Sequence, residues 1–134
     1  GRLAMVLAVL ERRAAVRLAS RDVYVSTVGG ARVTDPAADL AAAVAVASAA
    51  LDAAVTSRVV AIGEVGLAGE LRRVPGTDRR LAEAARLGFL EALVPAESPR
   101  PGDGETSVRH GILIHAAPTI GHALAALGLV GARV

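Results

Sequence analysis

The chain has 134 residues, 53% of them hydrophobic and 21% charged, which is enough for one globular domain with an ordinary core and no disulfide or metal staple. All 15 cations are Arg, and Lys, Cys, Trp, Asn and Gln are absent, so a P-loop lysine, a Schiff base and a Ser-Lys dyad are excluded. The sequence pI of about 10.3 overstates the charge, because with no Lys, no Cys and one Tyr almost nothing titrates between His and Arg; the formal net charge is only +2.

Arg2 to about Ala15 is predicted as a helix, with Leu3, Val6, Leu7 and Leu10 at helical spacing and Met5 and Val9 widening the stripe. That stripe fits either a subunit contact or cover by the chain's own domain. Asp22 to Val28 alternates as a strand and ends at Gly29-Gly30. Asp35 reads as an N-cap, Pro36 as the first helical position and Asp39 as charge suited to the positive helix end, opening an alanine-rich helix to Leu51. Val59 to Leu67 and Glu70 to Val74 read as a hairpin joined around Ala68-Gly69, with Glu64 and Glu70 in polar turn or subunit-contact roles.

Thr77 or Asp78 is expected to cap the next helix, with Leu81, Ala84, Ala85 and Gly88 inward and Arg79, Glu83 and Arg86 outward. Leu90 to Val94 is predicted as a strand, Pro95 to Glu105 as a loop, Ile112 to Ala116 as a strand, and Thr119 to Leu129 as a closing helix. The order describes one α/β domain of mixed sheet type over residues 1–134. The stretch Gly111 to Ala132 lacks Arg, Asp and Glu, but Pro118, two His and several Gly mark it as strand followed by helix rather than a membrane span.

Aromatic residues number two, so base-stacking platforms are not available, and nucleic-acid binding could be argued only from clustered arginines. The densest cluster is Arg72, Arg73, Arg79 and Arg80, with Arg86 further along the same helix. Bidentate phosphate contact is one reading; a solvated face with Glu83 pairing to Arg79 and Arg86 is the other. His115 reads as a satisfied core histidine, His122 as a surface residue of the last helix and His110 as a strand-entrance residue; their spacing does not suit a metal, and none is assigned. Gly63 to Gly69 lacks the strand-turn-helix setting of a nucleotide-binding loop.

Three segments, Ala31 to Ala47, Gly63 to Val74 and Arg80 to Pro95, together resemble the C-terminal Lon-protease-like domain of the bacterial RadA (Sms) DNA-repair family, and the similarity runs through almost the whole chain. The resemblance implies a Lon proteolytic-domain-like fold, of the type seen in domain 2 of ribosomal protein S5. It also implies a larger parent with a zinc finger and a RecA-like ATPase core, so the chain is expected to be a C-terminal fragment. Zinc, ATP and magnesium belong to those other domains, and no cofactor is expected here. The implied setting is cytoplasmic: a homo-oligomeric, hexameric ring acting in branch migration, with single-stranded or branched DNA and RecA as partners and no membrane contact.

Lon peptidases carry a nucleophilic Ser in a Gly-Pro-Ser-Ala-Gly turn and a Lys in a Gly-Gly-Leu-Lys segment. Laid on this sequence, the first motif falls on Asp35 to Asp39 and places Ala37 at the Ser; the second falls on Pro75 to Asp78 and places Asp78 at the Lys. Both halves of the dyad are replaced, which implies a pseudo-peptidase scaffold. The alternatives are a Lon-like peptidase with a substituted nucleophile and a pure protein-interaction module.

Overall fold

The computed structural model describes residues 1–19, 21–25, 34–55, 58–97 and 105–129. It is an α/β domain built on a mixed four-stranded sheet. The elements are α1 (Arg2–Arg13), a 3-10 turn (Pro36–Ala38), α2 (Asp39–Ala50), β1 (Val59–Ala61), β2 (Glu64–Val65), β3 (Leu71–Arg72), α3 (Thr77–Arg86), β4 (Glu91–Pro95), β5 (Glu105–Arg109), β6 (Ile112–Ala117) and α4 (Ile120–Ala126). The main sheet has the order β1-β4-β6-β5, with β1, β4 and β6 parallel and β5 antiparallel to β6; β2 and β3 form a separate antiparallel pair.

Strand β4 explains the layering. Its Ala92 and Val94 join Leu81 and Ala84 of α3, with Ile112 and Ile114 of β6, in one apolar cluster. Leu93 faces the opposite way and joins Val6, Val9 and Leu10 of α1, Leu40, Ala43 and Ala47 of α2, and Ile120, Ala123 and Leu124 of α4. A strand covered on both faces reads as a continuous apolar run, as in a parallel sheet. Val6, Val9 and Leu10 of the α1 stripe are thus covered by the chain's own domain, against α2 and α4, while Leu3, Met5 and Leu7 stay partly exposed. Alanine at positions 43 and 47 lets the α2 backbone come close to its neighbours, and both residues are fully buried.

Six expectations are corrected. The strand expected at Asp22 to Val28 is not seen over Asp22–Val25, which has no ladder partner among the described residues; residues 26–28 lie outside them, as does the Gly29-Gly30 turn. The Val59 to Leu67 segment is not one arm of a hairpin. Val59–Ala61 pairs in parallel with Glu91–Leu93, and only Glu64–Val65 turns back onto Leu71–Arg72. The chain leaves one sheet for the other at Ile62-Gly63, where a Cβ on Gly63 would lie 2.9 Å from Pro95 Cγ, so glycine permits the close crossing.

The expected loop from Pro95 to Glu105 ends in an unanticipated strand, β5, joined to β6 by a two-residue turn. His110 and Gly111 both have positive φ, 53° and 75°, the conformation that lets a two-residue turn follow the twist of its strands. His110 therefore sits in a turn, not at a strand entrance. Finally, α3 starts after Gly76 at φ 74°, without a side-chain cap; the Thr77 hydroxyl instead donates to the Val74 carbonyl at 3.0 Å. Gly88 lies beyond this helix, at φ 94°, rather than on its inner face.

Candidate nucleic-acid interface

The turn before α2 is held from three sides. Asp35 accepts the Ala37 N–H at 2.9 Å as a cap, the Ala37 carbonyl accepts the Gly63 N–H at 2.9 Å, and the Gly63 carbonyl accepts the Leu40 N–H at 3.1 Å. These bonds satisfy backbone groups that a helix start leaves without partners. Ala37 is buried, and its methyl packs in the α3-side cluster. Asp78, in the first turn of α3, is 67% exposed; its Oδ1 lies 3.0 Å from His110 Nε2 and 3.5 Å from an Arg109 guanidinium nitrogen. The turn and α3 meet through Arg80, whose guanidinium donates to Asp35 Oδ2 at 3.2 Å. The Ala37 N–H and then Arg80 hold the Asp35 carboxyl below its ordinary range.

The five candidate arginines do not share one cleft. Arg73 lines a cleft of ≈ 660 Å³ together with Thr77, Asp78, Glu97, Ser107 and Arg109. Arg79, Arg80 and Arg86 instead border a second groove on the other side of α3. Four of the five have carboxylate partners: Arg72 with Glu70 at 3.3 Å, Arg73 with Glu97 at 3.8 Å, Arg80 with Asp35, and Arg86 with Glu83. Glu83 pairs with Arg86 and not, as expected, also with Arg79; among the described residues no carboxylate lies within 4.0 Å of Arg79. The Arg86 hydrogen bonds hold the Glu83 carboxyl low, and Glu83 in turn raises Arg86. Partial desolvation pushes Glu70 up, but Arg72 and the Ala68 N–H outweigh it and leave the carboxyl low. A phosphate approaching the four paired guanidiniums would exchange one anion for another, and Glu83 already takes Arg86 hydrogen bonds on both its oxygens.

Two polar constellations were not anticipated. Asp39 is 3% exposed and is no simple helix-end charge: Arg2 Nε donates to its Oδ1 at 2.9 Å, and the Val65 N–H donates to Oδ2 at 3.1 Å. Arg2 also reaches Glu64 Oε2 at 3.1 Å, and the Asp39 hydrogen bond raises the Arg2 pKa. The signal available in sequence was a lone carboxylate in an otherwise apolar helix. The second constellation pairs His115 Nε2 with Glu91 Oε1 at 3.1 Å across neighbouring strands; the largely buried His115 is satisfied as expected, and only its Glu91 partner was not anticipated. His122 is exposed, with Nδ1 2.6 Å from the Thr119 hydroxyl. Among the described residues no three His, Asp or Glu side chains group as a metal site, and no helix is long and apolar enough to cross a membrane.

A family model described as subunit ChlI of Mg-chelatase matches residues 6–98. The chain belongs to that family. Its similar relatives include proteins named DNA repair protein RadA. That of Mycolicibacterium smegmatis is 55% identical over 119 residues, covering 89% of this chain and 24% of the relative. That of Escherichia coli is 48% identical over 95 residues, covering 71% and 21%, and that of Listeria monocytogenes 37% over 123 residues, covering 92% and 26%. This ChlI-family chain thus spans about a quarter of the length of the curated relatives it matches.

Proposed function

We propose that the chain is a non-catalytic, Lon-like scaffold domain from the C-terminal part of a RadA-type DNA-repair ATPase, supporting a hexameric ring and contacting DNA during branch migration. The observation that carries this reading is the 55% identity to a protein named for DNA repair, which covers 89% of this chain but only 24% of that relative. The RadA relationship is preferred over the chelatase name of the family model because it extends along more of the chain at high identity. A cytoplasmic setting and RecA as a partner belong to the same proposal.

Support for a non-catalytic role comes from Ala37, a buried methyl with no nucleophile, and from Asp78, a carboxylate engaged by Arg109 and His110 where a cation would be needed to stabilise an alkoxide. Support for DNA contact comes from the five exposed arginines. Repeated around a ring, they would line a channel with more positive charge than the net +2 of one chain suggests.

The test is replacement of Arg72, Arg73, Arg79, Arg80 and Arg86 by Ala in the full-length protein, with DNA affinity measured across salt concentrations. Affinity is expected to fall, and the slope of log K against log salt to flatten by about 0.7–0.9 for each phosphate that an arginine no longer neutralises. Unchanged affinity and slope would overturn the DNA-contact reading.

A further inference from the structure

We propose that the groove along α3 is a docking site for an acidic, amphipathic peptide segment of a protein partner. The groove has a volume of ≈ 720 Å³, and its floor is apolar: Val60 of β1, with Leu87 and Phe89 from the segment that follows α3. Leu87 is 60% exposed, whereas Leu81 on the inner face of the same helix is fully buried. A large aliphatic side chain in water beside a half-buried aromatic ring is apolar surface that a partner gains by covering.

The rim supplies the sign of that partner. Arg79, Arg80 and Arg86 border the groove, whose one lining carboxylate, Glu83, is held by Arg86, while Arg80 is held by Asp35 from beyond the lining. Arg79 has no carboxylate within 4.0 Å among the described residues. Cationic rims around apolar floors select ligands whose anionic groups stand beside hydrophobic ones, because only such ligands satisfy both parts at once.

A phosphodiester backbone meets the rim but gains nothing from Leu87 and Val60, and Phe89 alone provides no row of stacking platforms. A peptide carrying Asp or Glu between Leu, Ile or Phe residues meets both. The inference goes beyond the ring-and-DNA reading and needs neither ring nor DNA to hold.

The test is selection of a random library of short peptides, displayed on phage, against the 134-residue chain. Affinities of the selected peptides are then compared for the wild type, Leu87→Ser and Arg79→Glu. Both replaced side chains are exposed, so folding is expected to persist, as checked by circular dichroism. Selected peptides are expected to combine acidic and apolar residues, to weaken at least about tenfold on either variant, and to stop binding when their acidic residues become Lys.

Selected peptides that lack acidic residues, or that bind both variants as well as the wild type, overturn the proposal. So does self-association of the chain that Leu87→Ser abolishes, which would make the occupant a second copy. Binding of a DNA oligomer that falls on both variants while no selected peptide depends on the groove would overturn it in favour of nucleic acid.

Discussion

At the start of α2, both oxygens of the Asp39 carboxylate are used, one by Arg2 and the other by Arg2 and the Val65 N–H. One side chain thereby ties α1, α2 and β2 together. Removing it by Asp39→Ala leaves a buried backbone N–H without an acceptor, which costs about 1–3 kcal/mol, and frees Arg2 and with it the start of α1. Urea denaturation is expected to show that decrease, while Asp39→Asn, which keeps one acceptor oxygen, should recover part of it. Both carboxylates of the first α2 turn region, Asp35 and Asp39, read in sequence as helix-start residues. Asp35 does cap. The partner of Asp39 stands 37 residues away, a distance no local pattern encodes.

At the scale of elements, an exposed carboxylate pair, Arg80–Asp35, fastens α3 to the turn before α2 and another, Glu83–Arg86, braces α3 itself, and the stability of both depends on pH. Asp35, held low by the Ala37 N–H and Arg80, and Glu83, held low by Arg86, have folded pKa values below the ordinary 3.8 and 4.5. A carboxyl with a depressed folded pKa adds stability that is fully present above its ordinary value and disappears as pH falls through its folded value. The midpoint of urea unfolding is therefore expected to hold between about pH 7 and 5 and to fall below the ordinary carboxyl range, with added salt reducing the difference by screening these exposed pairs. A midpoint that does not change on acidification would show that the pairs contribute nothing. Elements also differ in how readable they were. α3 follows from Leu81 and Ala84 at helical spacing, whereas β5 places Thr106, Ser107, Val108 and Arg109 all in exposed positions at a sheet edge, leaving no alternation to detect.

Across the whole molecule, β4 divides the interior into two clusters and also joins them, since Leu93 points to one and its neighbours Ala92 and Val94 to the other. The two cores are therefore expected to unfold together. Leu93→Ala should cost about 2–5 kcal/mol, the range for removing a fully buried leucine, and the far-ultraviolet signal should show a single transition that loses stability as a whole. Two separate transitions, with only one sensitive to Leu93, would show that the clusters are independent.

The α/β class, the four helices, the strand at Leu90–Val94 and the capping role of Asp35 followed from composition, apolar spacing and turn chemistry, because each depends on neighbours a few residues apart. The arginine cluster was legible in the same way, whereas positions 37 and 78 stood out only through the resemblance to Lon peptidases. Tertiary structure alone decided that Val59–Ala61 belongs to the main sheet and that Asp39 answers to Arg2. It also decided that Arg73 and Arg79 line different clefts, most of the candidate arginines already holding carboxylates. Strand pairing and ion pairing join residues tens of positions apart, so their outcome depends on which surfaces the packed elements bring together and not on any local sequence period.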